Sequence, residues 1–107
     1  MSQIFWDQYL DLDDINREII QISSSTDERD ELSQIVDGII HHRLMSCILG
    51  NLEEADHEEF LLMFAKAPHD QNLTEFLKDR IKSDFVQLIK LEVEKIRQEI
   101  LSFLHLS

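Results

Sequence analysis

Cysteine, proline and glycine are all scarce in this sequence of 107 residues, which holds one Cys, one Pro and two Gly. The single cysteine, Cys47, cannot form a disulfide within the chain or supply a thiolate zinc site. Gly and Pro build the turns that many-stranded sheets and phosphate-binding loops require, so their scarcity argues against both. The sequence therefore predicts an all-helical protein.

Long apolar runs are missing as well. The longest, Phe60 to Ala65, is far shorter than the ~20 residues that a membrane-spanning helix needs. The first residues carry no basic segment and include Asp7, which does not suit a secretory signal. We therefore expect a soluble, cytoplasmic protein that does not interact with membranes.

Basic residues are few: 10 Lys and Arg stand against 22 Asp and Glu, for a formal net charge of -12. Residues 1–31 hold nine acids and two bases, whereas residues 68–107 hold seven and six. Such a charge repels phosphate backbones, so we expect no direct binding to nucleic acid. The imbalance predicts an acidic end, which would dock on a basic partner surface or only keep the helices solvated, and a packing end.

Length and composition predict one domain over residues 1–107, since 43% of the residues are apolar and the chain can bury one core. Three aromatic residues, Phe5, Trp6 and Tyr9, lie within the first twelve residues. Aromatic side chains rarely remain without packing partners. We therefore interpret residues 1–12 as an apolar arm that latches onto the domain.

Apolar residues at intervals of three and four predict a compact bundle of four to five helices. A short N-terminal helix is expected to begin near Asp13 or Asp14, which would cap it. The other helices are expected over about residues 26–49, 52–67, 73–82 and 84–104.

Particular residues mark where the helices begin and end. Ser25 with Glu28 forms a capping box for the long helix, and Gly50-Asn51 predicts a left-handed stop. Asn72 is expected to cap the fourth helix. Gly38, inside the long helix, predicts close contact with another helix.

The histidines offer one candidate metal site. Glu54 and His57 have the Glu-x-x-His spacing that supplies half of a carboxylate-bridged di-iron site in helical bundles. No second pair of this kind occurs in the chain, so only a homodimer could complete the site. His41 and His42 are adjacent and would point about 100° apart on a helix, so they do not suit one metal ion. We expect no metal, no cofactor and no catalytic residue.

Two segments are more apolar than one helix face requires: Phe60 to Phe64 and Ile100 to Leu106. Each is either buried in the core or exposed for another chain. A homodimer through the last helix is one arrangement that would cover the second segment. The candidate interaction residues are Phe60, Met63, Phe64, Ile100, Phe103 and Leu104.

The second half of the chain carries a series of apolar and acidic motifs: Ile48-Leu49-Gly50-Asn51-Leu52, Glu59-Phe60-Leu61, Phe76-Leu77, Ile81, Asp84-Phe85, Leu88-Ile89 and Glu92. On these motifs, the chain over about residues 30–101 resembles a small acidic all-helical family of uncharacterised function found mainly in genomes of uncultured bacteria. That family commonly has a proline before the Asp-Phe pair, where this chain has Lys82-Ser83. The resemblance implies a helical fold and assigns no functional residue.

These observations predict a non-catalytic protein-interaction or adaptor module, since the glycine-rich, phosphate-binding and zinc-protease signatures of enzymes are missing. Two alternatives stay open at this point. One is a metal-binding bundle with a dimer-related Glu54/His57 site. The other is an acidic mimic of nucleic acid, whose carboxylates in residues 7–31 and 53–59 would have to form one stripe.

Overall fold

The structure, a computed structural model, describes residues 4–105 and contains no strand among them. This confirms the predicted all-helical bundle of four to five helices. None of the helices in this range combines the length and the apolar composition that crossing a membrane requires. A 3₁₀ helix at Phe5–Tyr9 precedes five α-helices: α1 (Asp13–Ile22), α2 (Thr26–Asn51), α3 (Glu54–Lys66), α4 (Asn72–Arg80) and α5 (Phe85–His105).

The two long helices, α2 and α5, form the axis of the molecule. Residues 32–39 of α2 lie beside residues 99–104 of α5, and Arg43 reaches back to Glu92, so the helices run antiparallel. At 1.5 Å per residue, α2 alone is about 39 Å long. The molecule is accordingly elongated, with extents of 46 × 25 × 20 Å.

Helix α1 packs against both long helices near the start of α2 and the end of α5. Ile15 and Ile19 point inward and are fully buried. An ion pair joins α1 to α5, because Asp14 lies 2.8 Å from Arg97, and a ring nitrogen of His105 lies 3.4 Å from the Glu18 carboxylate. Since α1 is acidic and α5 is nearly neutral, the predicted acidic end and packing end are not separate: they lie against each other.

At the opposite end, α3, α4 and the 3₁₀ helix enclose an aromatic cluster. Phe5 packs edge-on against Phe60 and Phe64 at 6.4 and 6.3 Å between ring centres, and Trp6 stacks on Phe64 at 5.7 Å. The Phe5 backbone N–H also donates to the Pro68 carbonyl at 2.8 Å. Phe5 and Trp6 are buried, so the segment that we interpreted as an apolar arm contributes directly to the core.

The structure overturns two predictions about glycines. Gly50 and Asn51 remain helical, and no residue among 4–105 has a positive φ. The left-handed stop is unnecessary because the Asn51 side chain donates to the Cys47 carbonyl at 2.8 Å, and Leu52 then leaves in an extended conformation. Gly38 is exposed, and a Cβ at this position would meet no heavy atom within 4 Å, so it marks no close helix contact.

The predicted caps are partly right. The Ser25 hydroxyl accepts a hydrogen bond from the Glu28 N–H at 3.1 Å, which is the N-cap half of the predicted capping box. The Glu28 carboxylate does not complete the box, because it accepts from the Ser24 hydroxyl at 2.8 Å instead.

The cap predicted at Asn72 is wrong, because Asn72 is the first residue of α4 and donates its N–H to the Asp70 carboxylate at 2.9 Å. The cap predicted at Asp13 or Asp14 is wrong in the same way. Asp13 is the first residue of α1, and its N–H donates to the Asp11 carboxylate at 3.2 Å.

Candidate functional site

An apolar groove of about 190 Å³ runs along the surface between α2 and α5. Both helices contribute four residues to it, and seven of the eight are apolar. The lining residues are Leu32, Ile35, Val36 and Ile39 from α2 and Glu99, Ile100, Phe103 and Leu104 from α5.

The groove has a buried floor and exposed walls. Val36, Ile100 and Leu104 are buried and form the floor. On the walls, Ile35 is 55%, Ile39 38% and Phe103 59% exposed. Large apolar side chains that are exposed singly are ordinary on protein surfaces, but a contiguous group around a depression is typical of a binding surface.

The groove arises from the width of the apolar stripe on α2. Val36 and Ile40 lie on the side that faces the core, and both are buried. Ile35 and Ile39 precede them by one residue each, which places them about 100° around the helix. Helices α1 and α5 both pack on the side of α2 that carries Ile40, and the outer edge of the stripe faces solvent.

An ion-pair bridge closes the groove at one end. Arg43 on α2 lies 3.1 Å from the Glu92 carboxylate and also forms an ion pair with Glu99, both on α5. The hydrogen bond from Arg43 holds the pKa of Glu99 below its ordinary value, and the same hydrogen bond raises the pKa of Arg43. The bridge therefore ties the two helices together at a fixed separation beside the groove.

The other end of the groove opens onto the acidic first turns of α2. Residues 27–31 hold four acids and one base. Glu28 and Glu31 stand four residues before Leu32 and Ile35, so they lie one turn away on the same side of the helix. The Ser24 hydroxyl donates to the Glu28 carboxylate at 2.8 Å. The groove thus passes from an apolar centre to a negatively charged end.

The structure separates the six predicted interaction residues into two places. Ile100, Phe103 and Leu104 meet in the groove, although Ile100 and Leu104 form its floor and only Phe103 is exposed. The other three lie at the far end of the molecule, and Leu106 lies outside the described residues. Phe60 is fully buried in the aromatic cluster, while Met63 and Phe64 are half-buried around the core.

The candidate metal residues make other contacts. A ring nitrogen of His57 lies 3.1 Å from the Leu52 carbonyl oxygen, and Glu54 is exposed at the start of α3. Within residues 4–105 there is no group of three or more His, Cys, Asp or Glu side chains that could hold a metal ion.

The remaining residues that could carry chemistry are the two adjacent histidines of α2 and the lone cysteine. The His41 ring packs edge-on against Trp6 at 5.5 Å and Phe64 at 5.8 Å, and both His41 and His42 are exposed to solvent. Cys47 is half-buried, and burial raises the pKa of its thiol. A cysteine that acts as a nucleophile has a lowered thiol pKa, so these surroundings do not activate Cys47.

A second depression, of about 480 Å³, lies between the 3₁₀ helix, α1 and α2. Its lining mixes the carboxylates of Asp7, Asp13 and Asp37 with apolar side chains and His41. The chemistry of this lining specifies no ligand, in contrast to the continuous apolar surface of the groove.

Ile35 and Ile39 are not among the interaction residues predicted from the sequence, where their spacing supports only the long helix. A signal for them is present in the sequence. Leu32, Ile35, Val36, Ile39 and Ile40 form two adjacent apolar rows rather than one. A helix with two such rows has more apolar surface than one packing partner can cover.

No family model matches the chain, and no curated protein or solved structure matches it either. The resemblance to the small acidic helical family therefore stays a prediction.

Proposed function

We propose that this protein is a non-catalytic interaction module that docks a partner protein in the groove between α2 and α5. The observation that supports this function is the contiguous exposure of Ile35, Ile39 and Phe103 above a buried apolar floor. Covering such a surface is favourable by roughly 25 cal/mol for each Å² of apolar area removed from water.

A partner with a different sequence suits the groove better than a second copy of this chain. Each copy carries a net charge of -12, and the open end of the groove holds acids of α2. Bringing like charges together across an interface opposes association. The crosslinking experiment below can detect a homodimer. A crosslink between two copies of this chain would identify the occupant of the groove as a second copy.

The other two functions considered from the sequence have less support. A dimer-related metal site would need Glu54 and His57 to face a second copy, and a ring nitrogen of His57 already contacts the Leu52 carbonyl. A nucleic-acid mimic would need its carboxylates free, yet Asp14 pairs with Arg97 and Asp56 lies 3.5 Å from Arg80.

Site-specific crosslinking tests the proposed function. A photo-crosslinking amino acid is placed at Ile35 in one variant and at Leu62 in a control, in cells that naturally contain the protein. Leu62 is 65% exposed on α3 and lines none of the depressions described above. We expect a protein that is crosslinked from position 35 and not from position 62.

The captured protein is then purified and titrated against the unmodified chain. The replacement Ile35→Asp should weaken binding by about tenfold or more, because it places a carboxylate in an apolar contact, whereas Leu62→Asp should not. Equal crosslinking from both positions, or an affinity that Ile35→Asp leaves unchanged, would show that the groove is not the docking surface.

A further inference from the structure

We infer that the occupant of the groove is an amphipathic helix with basic residues at the end that lies over residues 27–31. This inference rests on the proposed function and identifies the chemical class of the partner. Helix-in-groove recognition places apolar side chains at positions i, i+3 or i+4, and i+7 into a hydrophobic groove.

The dimensions of the groove fit two turns of helix. Leu32 and Ile39, the outermost lining residues of α2, are seven positions apart, which corresponds to about 10 Å along the helix axis. A helix rises about 5.4 Å per turn, so a partner helix lying along the groove inserts three apolar side chains at this spacing.

Helix α1 shows the same mode of packing on the other flank of the α2/α5 pair. Its apolar residues Ile15, Ile19 and Ile22 have spacings of four and three, and the first two are buried. Arg97 and Glu99 are two positions apart on α5, so they point to opposite flanks of this helix. Arg97 meets α1, whereas Glu99 lines the groove. A second helix on the open flank would therefore repeat an arrangement that the fold already contains.

The charges on the two flanks differ. On the covered flank, Arg97 lies between Asp14 of α1 and Glu94 of its own helix, so a cation balances the acids that meet there. On the open flank, the lining carboxylate is Glu99, and Glu28 and Glu31 lie beside the open end. Two of the bases on this side, Arg43 and Lys95, lie at the closed end near Glu99, where Arg43 already pairs with two carboxylates. The third, Arg29, lies among the four acids of residues 27–31, which keep a net charge of -3. Basic residues at the end of a partner helix that lies near Glu28 and Glu31 would complement this charge.

Three synthetic peptides test this inference. They share leucines at i, i+4 and i+7 and differ only in their polar positions, which hold Lys, Gln or Glu. Binding of each peptide to the full chain is measured by fluorescence anisotropy. We expect the Lys peptide to bind about tenfold more tightly than the Glu peptide, with the Gln peptide between them, because complementary charge favours the first.

Two charge-reversed variants of the full chain locate the effect. Glu28→Lys with Glu31→Lys changes the open end of the groove, and Glu58→Lys with Glu59→Lys makes the same change in net charge on exposed positions of α3. The first variant should lose most of the preference for the Lys peptide, and the second should keep it. Circular dichroism establishes that both variants remain folded.

The variants Ile35→Asp and Ile35→Ala separate failure of the inference from failure of the proposed function. If Ile35→Asp weakens the binding of all three peptides, and Ile35→Ala weakens it by a smaller factor, the peptides bind in the groove. If the peptides bind there without a charge preference, or if both charge-reversed variants behave alike, the basic helix is excluded while the docking groove stands. If neither Ile35 variant weakens any peptide, a helical occupant is excluded, and crosslinking from position 35 decides the proposed function independently.

Discussion

The two flanks of the α2/α5 pair present similar apolar side chains, yet within the described residues 4–105 only one of them is covered. On the covered flank, α1 inserts Ile15 and Ile19 and pairs its acids with Arg97 and His105. On the open flank, Ile35 and Ile39 stay exposed. The difference teaches that apolar periodicity shows where a helix can pack but does not determine which of its apolar surfaces is covered.

The largest effect is expected on the covered flank. The replacement Ile19→Ala should lower the free energy of unfolding by about 2–5 kcal/mol, because it removes a fully buried side chain and leaves a cavity. Urea denaturation followed by circular dichroism measures the change.

The neighbouring residue provides a matched control for this prediction. Ile20 follows Ile19 on the same helix but is 50% exposed. Ile20→Ala should change the free energy of unfolding by no more than about 1 kcal/mol, since half of the side chain is already in water. Equal losses for the two replacements would contradict the packing of α1 described above.

A smaller effect is expected at the bridge that closes the groove. Arg43→Gln should lower the free energy of unfolding by about 1 kcal/mol at low salt, because the bridge is partly exposed and solvent screens it. The loss should shrink at high salt. Denaturation curves at two salt concentrations measure both values, and a loss that does not depend on salt would argue against an electrostatic role for Arg43.

The open flank should contribute little to stability in the isolated protein. Ile35→Ala should change the free energy of unfolding by no more than about 0.5 kcal/mol, because the lost apolar contacts are few and Ala is the better helix former. Thermal and urea denaturation check this. A loss as large as that of Ile19→Ala would mean that the open flank is in fact covered.

The smallest effect concerns pH and the Arg43–Glu99 pair. Since Arg43 lowers the pKa of Glu99 in the folded state, the Glu99 carboxylate stabilises the fold above its ordinary pKa of about 4.3. This contribution is lost as the pH falls through the lowered folded value. The difference in unfolding free energy between the unmodified chain and Glu99→Gln should therefore shrink below about pH 4. A difference that stays constant from neutral to acidic pH would contradict the pairing.

The sequence was sufficient to predict the helices, because apolar intervals and helix N-cap residues such as Ser25 are local signals. Local signals failed where the same residues allow two ways of ending a helix. Gly50 favours a left-handed stop, but the Asn51 side chain satisfies the Cys47 carbonyl instead.

The candidate site was less predictable, since its existence depends on which surfaces meet. Phe60 and Phe103 lie in segments of equal apolar character, and the sequence left both open as core or interface. Phe60 is covered by Phe5 from the start of the chain, a contact across 55 residues that no local pattern encodes. Phe103 lies on the flank that α1 does not cover. Tertiary packing therefore decided between the two.

The most direct test of the docking groove is a nuclear magnetic resonance titration of the full chain with the Lys peptide. Methyl groups of isoleucine and leucine report each surface separately. We expect the resonances of Leu32, Ile35 and Ile39 to shift as peptide is added, while those of Ile20 and Leu62 stay unchanged. Shifts centred on Ile20 or Leu62, or spread evenly over all exposed methyl groups, would contradict the assignment of the groove as the docking surface.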